Sequence, residues 1–247
     1  MASARGARIL AALLTPMLLG ADRSSAFDHY VLALNWQPAF CQFNMDKPEC
    51  RELDGTDFAA THLAIHGLWP DTAESRRLRY CGLDEHIQWT DLRNRWCELP
   101  EPELTPDTRA LLDRAMPGAR SCLDRHEWTE HGTCAGVDAE RYFATTLRLA
   151  AAVQASAFGD LLAASVGRVV PRRKLIAAFE TSFGRGAAGA LTLLCTHSGA
   201  ESLLIEVRIT LEPSAIRGTL GSADLRRRAS GTAGSCPATI RIDAIGP

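Results

Sequence analysis

The sequence predicts an α+β fold in one domain spanning residues 27–247. Two observations point there. Strand-type runs open and close the chain, while helix-type patterning fills the middle from about Thr105 to Phe183. Eight cysteines, all beyond residue 26, form an even set in a chain that starts like an exported protein. That combination predicts disulfide stabilisation. Counting alone leaves the pairing open. No C-x-x-C spacing occurs, which argues against a zinc ribbon or a thioredoxin-type site. No repeat, linker or low-complexity segment divides the chain.

The first 26 residues read as a signal peptide. Arg5 and Arg8 precede an apolar run from Ile9 to Gly20, and the small-residue site Ser24-Ser25-Ala26 follows. The run is too short to span a bilayer. The mature protein is therefore expected to be soluble and exported, either periplasmic or secreted. The whole chain carries a net charge of −2, and removing three arginines and one aspartate with the signal leaves −4. Dedicated nucleic-acid binders usually carry a basic excess. An enzyme that must release its product needs only local positive charge.

In chain order, Tyr30 to Trp36 is an apolar strand ended by Gln37-Pro38. Cys41 and Cys50 bracket a polar loop that suits a local disulfide. In the next segment, Thr61 to Pro70, alternation places His62, Ala64 and His66 on one strand face and Leu63 and Ile65 on the other. Gly67 and Pro70 are expected to stop that strand, leaving His66 at its end. Residues 71–105 lack a sustained period and read as loops and short helices. Thr105-Pro106-Asp107 starts a helix that runs to about Met116, with Pro117-Gly118 as the stop. Another helix begins near Cys122 and breaks around Gly132 or Gly136. Asp138 to about Val166 reads as helix interrupted near Gly159, and Pro171 opens a helix to Phe183. The tail is β-rich: Leu191 to Cys195, Ser202 to Leu211 and Thr239 to Ile245.

The chemistry concentrates in Arg125-His126-Glu127-Trp128-Thr129-Glu130-His131-Gly132-Thr133-Cys134. On a helix Glu127 and His131 are four apart, about 40° around the axis, so they share a face. His126 and Glu130 lie on a neighbouring face. One helix thus offers an acid–base pair beside a second imidazole. A lone histidine is more often structural than catalytic. Two motifs rich in histidine within one exported disulfide protein shift that balance.

His66-Gly67-Leu68-Trp69-Pro70 and His126-Glu127-Trp128-x-x-His131-Gly132-Thr133-Cys134 resemble the two active-site segments of the ribonuclease T2 family. Trp36-Gln37-Pro38-Ala39-Phe40-Cys41 resembles its N-terminal strand and first cysteine. The resemblance covers about residues 30–245. It implies a central antiparallel sheet flanked by helices and an endonuclease that cleaves RNA by transphosphorylation, through 2′,3′-cyclic phosphates to 3′-phosphates. It implies His66 and His131 as the acid–base pair, His66 as acid and His131 as base, supported by Glu127. His126 would bind the phosphate, and Trp69 and Asp71 the base. Trp69 also suits core packing. Imidazole titrates near neutral pH, so two histidines suffice for both proton transfers. RNA is then the only expected partner, with no membrane, metal or cofactor, and the protein acts as a monomer. The resemblance also implies Cys41–Cys50, Cys81–Cys134 and Cys195–Cys236, which leaves Cys97 and Cys122 for each other.

Glu130 departs from the family pattern, which has Lys there to stabilise anionic charge. Either Arg125 or an arginine from another segment replaces that cation, or Glu130 points away, pairs with His126 and keeps it protonated. The second is the expectation adopted. A zinc hydrolase using His62, His66, His126 and His131 is the competing enzyme reading. It is weakened because His-Glu-x-x-x-His is one residue too long for the metalloprotease helix motif. A family member with impaired catalysis, acting by binding RNA or as a toxin, is the third reading. His29, His86 and His197 read as surface or packing residues. Arg76-Arg77, Arg172-Arg173-Lys174 and Arg226-Arg227-Arg228 read first as solvated faces and second as an RNA track. Trp89, Trp96 and Trp128 read as core rather than as stacking platforms.

Overall fold

The structure, a computed structural model, describes Met1 and residues 27–72, 78–228 and 233–246. The expected signal peptide (Met1 apart) and Arg76-Arg77 lie outside the described residues. No described helix is long and apolar enough to cross a membrane.

Strand β1 (His29–Asn35) leads into the short helices α1 (Gln37–Cys41) and α2 (Pro48–Arg51). Strand β2 (Ala64–Asp71) follows, then helices α3 (Glu85–Leu92), α4 (Pro106–Ala115), α5 (Leu123–Glu130), α6 (Ala139–Gln154) and α7 (Ala157–Ala163). Strand β3 (Arg168–Pro171), helix α8 (Arg172–Phe183) and strands β4 (Leu191–Ser198), β5 (Glu201–Leu211), β6 (Ala233–Gly234) and β7 (Thr239–Ile242) complete the chain. The sheet order is β2-β1-β5-β4-β6, with β7 paired to β5 and β3 paired to β7. Its four-strand centre is antiparallel as expected. Parallel pairings of β6 with β4 and of β7 with β5 make the whole sheet mixed.

Apolar periodicity explains the packing. Helix α6 buries Tyr142, Phe143, Leu149 and Val153, and α8 buries Leu175, Phe179 and Phe183. Both stripes recur at helical spacing, so each helix turns one face to a common core. Leu32, Ala33 and Leu34 of β1 are all fully buried, as befits a strand between two others. The β4–β5 hairpin turns at Gly199, whose φ of 59° a residue with a side chain rarely adopts.

Four local expectations are revised. Strand β2 continues through Gly67 and Pro70, and His62 precedes it. It is an edge strand, so the missing N–H of Pro70 costs little. The α6–α7 break falls at Ser156, whose hydroxyl caps α7 through the Gly159 N–H. Gly159 itself lies inside α7, where an added Cβ would meet the Gln154 carbonyl at 2.2 Å. Pro171 is the N-cap residue of α8, as expected, but it also ends the unexpected strand β3, and β7 stops at Ile242.

All eight cysteines pair, as Cys41–Cys50, Cys81–Cys134, Cys97–Cys122 and Cys195–Cys236. The second ties the loop carrying Arg79 and Tyr80 to the end of α5, next to a backbone bond of 2.9 Å from Tyr80 N–H to Glu130 C=O. It closes a sequence separation of 53, for which chain entropy gives about 4 kcal/mol. Cys81→Ala/Cys134→Ala should lose stability of that order in urea unfolding. A loss below about 1 kcal/mol would mean that the unfolded chain is already constrained there.

Candidate active site

A β-bulge builds the site. Ala33 pairs with Gly67 and Leu34 with Ile65, so His66 is an extra residue on β2 with no partner on β1. It is therefore a mid-strand residue rather than a terminal one. Paired residues on neighbouring strands share a face. The rows Trp69–Val31–Thr210 and Gly67–Ala33–Arg208–Thr192 therefore form one floor. His66 reaches across β1 over this floor, and its Nδ1 lies 2.7 Å from Glu206 Oε2 on β5. Arg208 Nε closes on the other oxygen of Glu206.

Helix α5 packs against the same face and brings Glu127. Its carboxylate is 1% exposed, accepts a 2.7 Å bond from Trp69 Nε1 and lies 3.5 Å from His66 Nε2. Gly67 makes room for it: a Cβ there would sit 1.9 Å from Glu127 Oε2. The glycine between His66 and Leu68 is thus required by a close approach.

The next residues of α5 continue the site. His126 Nδ1 lies 2.7 Å from Asp91 Oδ1 on α3, and the other Asp91 oxygen accepts from Tyr80 OH at 2.7 Å. The His126 ring stacks on Trp96 at 4.4 Å. His131 caps α5, with its ring 5.4 Å from Trp69 and 6.4 Å from His126. Glu130 is buried between them, 3.3 Å from His126 Nε2 and 3.8 Å from His131 Nε2, and Arg79 pairs with it at 2.9 Å. The expected His126 pairing is present, but Glu130 lines the cleft instead of pointing away from it, and Arg79 is an added cation. Arg125 is turned elsewhere: it donates to the Cys97 and Leu99 carbonyls and pairs with Glu101.

Burial pulls the His66 imidazole down, but the Glu206 hydrogen bond and the charges of Glu127 and Glu206 outweigh it, and its pKa is raised. The same balance holds for His126, where the bond to Asp91 leads the opposing effects. Burial pushes the Glu127 carboxyl up against the lowering influence of both imidazoles and Trp69. Glu206 is also buried, yet its bonds to His66 and Arg208 hold it below the usual carboxylate range.

The cleft holds about 710 Å³, and all six anticipated residues line it: His66, Trp69, Asp71, His126, Glu127 and His131. Trp69 belongs to the cleft, with the Arg208 guanidinium 4.9 Å over its ring. His62 is not among the lining residues; it stacks on Phe58 at 4.3 Å, so the four-histidine zinc set does not assemble. Asp91, His126 and Glu130 offer ligand atoms within 4.8 Å of one another, but Tyr80 and Arg79 already engage both carboxylates. Sequence reasoning missed Arg79, Asp91, Glu206 and Arg208. Glu206 and Arg208 did carry a signal, as two charges spaced i,i+2 in the otherwise apolar run from Leu203 to Ile209. His29 and Arg226 to Arg228 also line the cleft. Trp128 packs on Tyr142 as expected, whereas Trp89 is 58% exposed.

Comparison with known proteins now assigns the chain. It is 35% identical to Ribonuclease I of Escherichia coli (strain K12), over 98% of both chains. Among solved structures, the SF11-RNase of Nicotiana alata matches with a TM-score of 0.60 and 18% identity, covering 88% of this chain and 99% of that one. A variant of RNase MC1 matches with a TM-score of 0.57 and 20% identity, covering 87% and 98%. The two structures show the same fold. The class is that of a ribonuclease. The Ribonuclease T2 family model matches residues 27–219, and the chain belongs to that family.

Two outcomes test the geometry. Gly67→Ala should displace Glu127 and Trp69 and lower kcat by about 100-fold while the far-UV circular dichroism is kept. Unchanged kcat would mean that the close approach is not needed. The raised pKa of His126 means that its charge stabilises the fold below its ordinary value of 6.5, a contribution lost as pH rises through the folded pKa. Asp91→Asn should therefore destabilise by about 1–2 kcal/mol near pH 5.5, and by less near pH 9. Urea unfolding at both pH values checks this, and an equal loss at both would exclude the charge effect.

Proposed function

We propose that this chain is a metal-independent endoribonuclease, one catalytic domain over residues 27–247, with His131 as general base and His66 as general acid. His131 removes the 2′-hydroxyl proton, and O2′ attacks phosphorus. The P–O5′ bond breaks as the leaving oxygen takes the Nε2 proton of His66, giving a 2′,3′-cyclic phosphate. Hydrolysis to the 3′-phosphate follows with the two roles exchanged. His126, held by Asp91, binds the phosphate, and Glu127 supports the developing phosphorane. Trp69 and Asp71 form the base pocket. A variant of RNase MC1 has been solved with 5′-UMP, in keeping with a nucleotide as the ligand of this fold.

The observation that carries the reading is the placement of two imidazoles, His66 and His131, in one cleft, each against the Trp69 ring, at 5.2 and 5.4 Å. Each proton transfer then has its own group, so the cleavage needs no metal-bound water. The reading of impaired catalysis rests on Glu130, and its charge is met here by Arg79 and His126. The N-terminal segment directs export, to the periplasm or outside the cell, and the enzyme works as a monomer.

Incubation with RNA and with DNA, with and without EDTA, tests this. RNA alone should be cut, through cyclic phosphates and with EDTA present, and His131→Ala should lose about 10²–10⁴-fold. Loss of activity in EDTA that zinc restores would favour the metal reading, and inertness toward RNA would remove the proposal.

A further inference from the structure

Glu206 lies on β5, two strands away from β2, at a spacing of about 10 Å between strand axes. Contact across that distance needs a low floor and a redirected side chain. The small residues Gly67 and Ala33 provide the floor, and the bulge redirects His66. The resulting bond, 2.7 Å from Nδ1 to Glu206 Oε2, is shorter than the 3.5 Å approach of Glu127 to Nε2. Glu206 is 7% exposed, and its remaining oxygen is clamped by Arg208. A buried carboxylate with so few partners keeps its charge only if both contacts persist.

Resting on the reading of His66 as general acid, we infer that Glu206 is its positioning residue: it keeps the Nδ1 proton, so that the proton delivered to the leaving 5′-oxygen comes from Nε2. Glu206 also stabilises the imidazolium before transfer and leaves the Nδ1–H tautomer after it. The charged groups facing His66 are Glu127 on α5 and Glu206 and Arg208 on β5. Trp69, on its own strand, meets the ring edge-on at 5.2 Å and also lies 5.4 Å from the ring of His131. Of these groups Glu206 makes the shortest contact with the imidazole. Arg208 opposes the imidazolium, and its pairing with Glu206 turns that opposition into a clamp.

The test compares two substrates that differ in leaving group. A dinucleoside phosphate needs the departing oxygen protonated; a nucleoside 3′-(4-nitrophenyl phosphate) releases a stable phenolate and does not. Glu206→Gln should lose about 10- to 100-fold in kcat/KM on the first and less than about 3-fold on the second. Its alkaline limb on the dinucleoside should move to lower pH, because removing the carboxylate lowers the His66 pKa. Glu206→Ala gives a second measure, in which added formate should restore part of the dinucleoside cleavage. Equal loss on both substrates, or an unmoved alkaline limb, would overturn the inference. His66→Ala separates the two levels. If it too loses equally on both substrates, His66 is not the acid and the parent reading fails. If it is selective while Glu206→Gln is not, only the role of Glu206 fails.

Discussion

A carboxylate sealed against a strand is the constraint around which this cleft is arranged. Glu127 lies under α5 with almost no exposure, and an isolated charge there would be costly. Trp69 supplies its hydrogen bond, His66 its nearby imidazole, and Gly67 the space. These three partners all belong to β2, so one short strand serves a group carried by a distant helix. The spacing of the His-Gly-Leu-Trp motif follows from that requirement.

The surrounding scaffold keeps α5 where Glu127 needs it. Cys122 and Cys134, just outside the two ends of the helix, each bridge to residues of the 78–97 stretch. Tyr142 from α6 packs on Trp128 of α5 and donates its hydroxyl to the Leu68 carbonyl of β2. Acidic and basic groups in the cleft then meet in local sets, Glu206 with Arg208 and His66, and Glu130 with Arg79 and His126. An acidic chain can in this way present a cleft edged with arginines.

Much of this was legible in the sequence because periodicity and motif spacing are local properties. Helix α4 and its Thr105 cap, strands β4 and β5 and the shared face of Glu127 and His131 follow from neighbours a few positions apart, whereas the full set of six anticipated cleft residues came from the motifs' resemblance to a family. The disulfide pairing became legible through likeness to a family. The contacts of His66 with Glu206 and of His126 with Asp91 span sequence separations of 140 and 35, which no local pattern encodes. Strand β3 was hidden because four residues are too few for a period, and its last residue, Pro171, is also the cap of the helix that follows. Gly159 misled for a related reason, since close packing against the Gln154 carbonyl, not a chain break, calls for a glycine there.

The bulge at His66 also changes the parity of β2. In a regular strand, residues 66 and 69 would face opposite sides of the sheet, and so would 66 and 67. Here His66, Gly67 and Trp69 all turn to the cleft, because one surplus residue resets the alternation midway. The motif is therefore sensitive to count as well as to identity. A substitution at one of these positions removes one contact, whereas loss of Ile65 alone would pair His66 with Leu34, put the strand's two halves back in phase and turn the imidazole and the indole to opposite faces.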